Sequence, residues 1–422
     1  MDVWCDGPVS NAKQSIWKVP GYTATMVAVA AAFGAWSILL PVVPLAVLDS
    51  GGSATLAGAS TGAFMAATVI TQTLTPRMLR TFGYRPVMAA AALLLGVPAF
   101  GHLLGNAAVV VLAFSALRGI GFGALTVSES ALIAEIAPSR LLGKATGMIG
   151  VFVGFAQMVF LPAGIAMGQA WGFETAYITA GIIGIIGFVM CLRVPSLKAA
   201  SSSVANRETG AVAPMWKLFA VPALALTTFS MSYGVVSTFI APAARELDPA
   251  TGAAVGGLLL SLVGAATMVM RYFAGTVADR LGKPGTLYIP AQLAAAGGVA
   301  LIAFTLAQGW SLWLLVCGAV IFGGAFGIAQ NEALLAMFDR APREKISEAS
   351  AVWNIFYDAG TGLGSTVLGA LVASTGYSGA FGAGAAIIAG GLLLTVSDTL
   401  LGRTRVSETH DIKTRLRRLR KV

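Results

Sequence analysis

Residues 108–136 read AVVVLAFSALRGIGFGALTVSESALIAEI, an apolar run interrupted by one cation, Arg118, and by the carboxyls Glu129 and Glu135. About 20 residues of helix cross the ~30 Å hydrocarbon core of a bilayer, so this run predicts a membrane span. Eleven further runs resemble it. The predicted spans are 23–48, 54–75, 86–104, 108–136, 145–168 and 174–194, then 218–242, 252–275, 285–307, 311–338, 347–373 and 378–401. Composition agrees: 57% of the 422 residues are hydrophobic, 11% are charged and mean hydropathy is +0.81. A soluble protein built this way would expose too much apolar surface. The expected fold is an all-α membrane protein, twelve transmembrane helices in two six-helix bundles related by a pseudo-twofold axis.

Several function classes lack their raw material. His102 and His410 are the only histidines, and Cys5, Cys191 and Cys317 lie far apart, so metal clusters, catalytic triads and a disulfide framework are not expected. No phosphate-binding GxxxxGK[ST] occurs. The chain is therefore expected to need no cofactor and no metal, and not to be an enzyme. The net charge of +9 does not signal nucleic acid, because the charge is placed asymmetrically. With both termini in the cytoplasm, 24 of the 27 Lys and Arg fall in cytoplasmic segments, Arg118 and Arg271 fall inside spans, and only Arg245 faces outward. The expected organisation is a cytoplasmic N-terminus (1–22), a first bundle (23–194), a cytoplasmic linker (195–217), a second bundle (218–401) and a basic cytoplasmic tail (402–422) beside anionic lipid. Residues 1–22 do not read as a cleaved signal peptide.

The halves repeat. At an offset of 204, Glu135 meets Asp339, Pro138 meets Pro342, Gly123 meets Gly327 and Gly172 meets Gly376. Earlier in the chain the offset is 199: Pro76 meets Gly275 and Gly83 meets Gly282. Parallel six-span repeats place a ligand between the halves near midplane, with access alternated by rocking.

Residues 275–283, GTVADRLGK, resemble the GxxxDRxGR/K signature of the major facilitator superfamily, through Gly275, Asp279, Arg280, Gly282 and Lys283. The start of span 4, Leu117-Arg118-Gly119-Ile-Gly121-Phe-Gly123, is similar to that family's Arg-plus-glycine pattern. The resemblance, drug/proton-antiporter-like, covers nearly the whole chain. In the first-half copy, residues 76–85, Arg80 stands where the family has Asp and Pro76 where it has Gly, while Gly83 and Arg85 remain. Asp279 is therefore expected to matter more than Arg80. Span 5 carries Leu161-Pro162-Ala163-Gly164 where such antiporters carry a Gly-Pro signature, after Gly143, Gly147, Gly150 and Gly154. These small residues fit either static packing or a sliding contact between the halves. The resemblance also implies that Glu135 with Arg140, and Asp339 in the second half, face the basic loop signatures and brace the outward-open state.

An ionisable group inside a span costs about 2.5–3.5 kcal/mol on insertion scales, so each needs a partner or a wet cavity. Asp358 is the leading proton-coupling candidate: it lies about 16 Å into span 11, with Asn354 one turn earlier on its face and Tyr357 beside it. Arg118 and Glu129 share a face of span 4 but are about 16 Å apart, too far to pair. For Glu129 an ion pair with a base at the cytoplasmic end is the competing expectation. Arg271 is expected in a cytoplasmic network with Asp279, Glu332 or Asp339, with anion binding as the alternative. Phe33, Trp36, Ser37, Gln157, Tyr233, Trp353 and Tyr357 are candidates to line a cavity.

The expected function is secondary transport by alternating access: proton-coupled efflux of a small molecule across the inner membrane by a monomer in the lipid bilayer. The alternative is proton-coupled import of a small organic anion, with Arg118 as its partner. Nothing resembles the filter of a channel or the acid/base set of an enzyme.

Overall fold

The computed structural model describes residues 15–52, 54–199, 215–341 and 345–401. The first 14 residues with Cys5, most of the linker, Pro342 to Glu344 in the loop after span 10, and the basic tail lie outside the described residues. The described residues form twelve long helices: α1 Tyr22–Asp49, α2 Ala54–Thr81, α3 Tyr84–Gly101, α4 Ala108–Ile136, α5 Leu142–Trp171, α6 Phe173–Cys191, α7 Met215–Leu247, α8 Gly252–Leu281, α9 Tyr288–Gln308, α10 Leu312–Arg340, α11 Ile346–Leu363 and α12 Gly369–Leu401. Ten of them are long and apolar enough to cross a membrane; α2 and α11 are the two that fall short. Those two carry polar side chains and pack against each other across the boundary between the halves.

The helices run past several predicted span ends. Helix α2 continues through Pro76 and Arg80, and α8 through Asp279 and Arg280. Much of each loop signature is thus the last turn of a helix, where Arg80 and Arg280 complement the C-terminal dipole. Span 11 is also divided: α11 passes at Gly364–Leu368 into a π turn, and the chain bends at Gly376, whose φ of 69° is open to glycine at little cost.

Glycine brings the helices within each half together. In the first half Thr68 Oγ1 donates to Gly119 O at 3.1 Å, and Gly123 leaves room for the backbone of Thr68. In the second half Thr267 Oγ1 donates to Gly323 O at 2.8 Å, and Gly327 leaves room for Thr267. The two arrangements are related residue by residue through the offsets of 199 and 204. The glycines after Arg118 are therefore packing residues: Gly119 and Gly123 admit α2, and Gly121 admits the backbone of α3.

Candidate functional site: the boundary between the halves

Helix α5 of the first half lies along α8 of the second, and α11 lies against α2 and α4. Gly143, Gly147, Gly150 and Gly154 form the α5 side of that contact. A Cβ at Gly147 would sit 3.0 Å from Arg271 O, and one at Gly154 would sit 2.9 Å from Met268 Cβ. The small-residue face read from sequence thus belongs to the surface between the halves.

Polar contacts across the boundary form a series that starts at the face carrying the basic loops. Asp279, at the end of α8, accepts from Gly143 N at 2.8 Å and Lys144 N at 2.7 Å, so it caps the first turn of α5 from the other half. Arg80, at the end of α2, forms an ion pair with Glu348 in the first turn of α11, and Lys345 Nζ lies 3.5 Å from the same carboxylate oxygen. One turn deeper, Thr146 Oγ1 donates to Asn331 Oδ1 at 2.9 Å, and Ser350 Oγ donates to Val127 O at 2.8 Å and hydrogen-bonds Ser130. Asn354 Nδ2 donates to Ser350 O at 2.9 Å and to Thr126 O at 3.4 Å, tying α11 to α4. Deepest in the series, Gln72 Nε2 donates to Asp358 Oδ2 at 2.7 Å. Asp358 is twelve residues into α11, about 18 Å along its axis. These bonds close the halves together on the basic face.

Arg271 is not joined to Asp279, Glu332 or Asp339 as the spacing suggested. Its side chain, 6% exposed, passes Gly150 of α5, donates from Nη1 to Gln330 Oε1 at 2.9 Å, and lies with Cζ 5.5 Å above the Trp353 ring. Sharing a helix face with Asp279 was a poor guide, because a guanidinium reaches across to neighbouring helices. Trp353 Nε1 donates to Gln330 O at 3.1 Å. Trp353 stacks on Tyr357, Tyr357 on Phe326 and Phe326 on Tyr233, at centroid separations of 5.3, 5.9 and 4.7 Å.

Arg118 is buried in the first half, with Cζ 5.5 Å above the Phe64 ring. It borders a cleft with Trp36, Leu39, Ser60 and Ser115. Trp36 stacks on Phe122 at 5.3 Å. Glu129 is buried in α4, and its Oε1 has no hydrogen-bond partner among the described residues; no ion pair to a base is seen. Glu332 is buried in α10 and accepts from Leu287 N at 3.4 Å, bracing the α8–α9 connection. Gly83 and Arg85 hold the start of the linker: Arg85 Nε donates to Val194 O at 2.7 Å, and Gly83 leaves room for Leu197 O. Gly282 ends α8 in a left-handed conformation, and Arg280, Arg140 and Asp339 are exposed at helix ends. Glu135 and Gln157 are half-buried.

Sequence reasoning missed Gln72, Gln330 and Glu348. A neutral amide in a span carries no signal of its own. For Glu348 the signal was present: the offset of 204 sets it against Lys144, whose N–H Asp279 caps, and the offset of 199 sets Arg80 against Asp279.

The fold is similar to that of the proton:xylose symporter XylE bound to 6-bromo-6-deoxy-D-glucose, with a TM-score of 0.72 and 16% identity over 90% of this chain and 94% of that one. It is similar also to the human organic anion transporter MFSD10 (TETRAN), with a TM-score of 0.71 and 15% identity over 90% and 100%. The E. coli fucose:proton symporter FucP gives a TM-score of 0.69 and 16% identity over 90% and 98%. Residues 25–365 match the sequence family described as Major Facilitator Superfamily. This multi-pass membrane protein, with a transporter's fold rather than an enzyme's, belongs to the major facilitator superfamily.

Proposed function

We propose that the protein is a secondary transporter that carries a proton and a small organic anion together into the cell by alternating access. The bond from Gln72 to Asp358 carries this reading. An ionised carboxyl at that depth needs a donor, and in the structure the donor belongs to the other half. Protonation removes the need, so the state of Asp358 biases whether α2 and α11 stay together. The sign of coupling follows from charge. Arg118 and Arg271 are buried with no carboxylate at ion-pairing distance among the described residues. An anion entering that positive interior opposes the charge on Asp358 and so favours its protonation; cargo and proton load together. Exchange-driven efflux needs the two to exclude each other. In the sequence only the span-5 signature, Leu161 to Gly164 with the glycines before it, separates exporter from importer; it is degraded, and the glycines from Gly143 to Gly154 pack against α8, a contact that import and export serve equally.

The test is Asp358→Asn, which keeps the size and removes the titration. In liposomes, wild-type protein should accumulate organic anion under an inward proton gradient, while the variant should only exchange it. Gradient-driven accumulation by the Asn variant at the wild-type rate would move the proton site elsewhere, with Glu129 or Glu332 next in line.

A further inference from the structure

Arg271 is a cation without a counter-ion among the described residues, yet its surroundings are closely built. One donor is used, on a neutral amide, Gln330. The Nε is buried and has no hydrogen-bond partner among the described residues. A guanidinium offers five N–H donors in a planar fork, and its Nε and one Nη form the side that receives a carboxylate with two parallel bonds. The indole beneath cannot turn away, because Trp353 Nε1 is held by the backbone of the same Gln330. From Trp353 the rings continue in nearly parallel planes: 12° to Tyr357, 16° from Tyr357 to Phe326, and 19° from Phe326 to Tyr233. Phe326 and Trp353 are buried, whereas Tyr357 and Tyr233 keep half-buried surface. Beside a buried fork that lacks an anion among the described residues, the half-buried parts of Tyr357 and Tyr233 not taken up by the stack remain for a flat ring to pack on.

We propose that Arg271, set by Gln330 and Trp353, binds the carboxylate of an aromatic acid whose ring packs against Tyr357 and Tyr233. This rests on the reading of the cargo as an organic anion and narrows it. The site also reports on conformation. Arg271 occupies the space left by Gly150 across the boundary, where a Cβ would overlap its side chain, so rocking of the halves changes the surroundings of the fork.

The experiment measures equilibrium binding to the purified full chain in nanodiscs, by tryptophan fluorescence and thermal shift, for benzoate, cyclohexanecarboxylate and benzamide. Wild-type protein should bind benzoate, with benzamide at least about tenfold weaker, the scale of a charged hydrogen bond. Cyclohexanecarboxylate should be weaker than benzoate by about two- to tenfold, the scale of an aromatic contact. Gln330→Glu supplies an internal carboxylate to Arg271; it should weaken benzoate about tenfold without lowering the thermal midpoint of the free protein. Arg271→Lys should bind more weakly than wild type, since an ammonium is a point charge.

Benzamide binding as well as benzoate would overturn the anionic cargo and this site with it. Cyclohexanecarboxylate equal to benzoate, with benzamide excluded, would leave the anionic cargo standing and remove the aromatic specificity. Unchanged benzoate affinity in Gln330→Glu, or no benzoate binding to the wild type, would overturn the site. Each of these readouts compares ligands or variants at one pH with Asp358 intact, so their outcome is separable from that of the proton-coupling test, which alters Asp358.

Discussion

Arg80 at the end of α2 and Glu348 at the start of α11 are ion-paired across the boundary, at the position that the internal repeat relates to Asp279 and Lys144. The first-half signature has therefore not merely lost its acid. Where the second half places a carboxylate against the first turn of α5, the first half places a guanidinium against a carboxylate in the first turn of α11. Equivalent helix pairs are thus latched with the charge of the signature residue reversed: Asp279 meets backbone N–H groups at the start of α5, and Arg80 meets the Glu348 carboxylate at the start of α11.

Reversal of the pair tests that latch. Arg80→Glu and Glu348→Arg, made singly, should each open the basic face more often and slow transport, whereas the double variant should recover most of the rate. Both side chains are partly exposed, so the pair is worth about 1 kcal/mol, or about fivefold in population. The population is read from alkylation of a cysteine placed at the buried Ser350. A double variant no better than either single would mean that the pair does not latch the halves.

Close approach of α5 and α8 gives the next prediction. Gly150→Ala should cost about 1–3 kcal/mol in the closed state, because the added carbon meets Arg271 and the interior is already filled. Gly62→Ala, with open space beside it, should behave as wild type. The expected signature is normal expression of both, with transport lost only at position 150. Equal rates would mean that the boundary yields more easily than its packing implies.

Orientation follows from the Lys and Arg asymmetry. In a background lacking native cysteines, a cysteine at positions 308–310, between α9 and α10, should react with impermeant maleimide on intact cells, and one at 205 in the linker should not. External labelling at 205 would invert the topology.

Helices and repeat were legible in the sequence because both depend on local properties, apolar length and small residues at fixed spacing. Span 11 shows the limit. Its length was readable, but its π turn was not: Gly360 and Gly364 meet α7 closely, and only the neighbour shows that. The candidate site was legible where one residue is anomalous by itself, as Asp358, Arg118 and Arg271 are. It was illegible wherever an interaction chooses its partner from another helix. Helical spacing points Arg271 to a cytoplasmic network with Asp279, Glu332 or Asp339, whereas in space it belongs with Gln330, and no pattern within α8 encodes that choice.

The reversed charges bear on how the chain assembles as well as on how it moves. The two bundles are built on one plan, related through the offsets of 199 and 204, so each offers the other's pairing surface. Two copies of the first bundle, paired through the same helices, would set Arg80 against Lys144. Two copies of the second would set Asp279 against Glu348. Both wrong pairings bring like charges together at the boundary, and only the first bundle with the second brings opposite ones. A latch inverted between the repeats thus marks each half as the other's partner, so that a duplicated architecture closes first half upon second and not upon another copy of the same half.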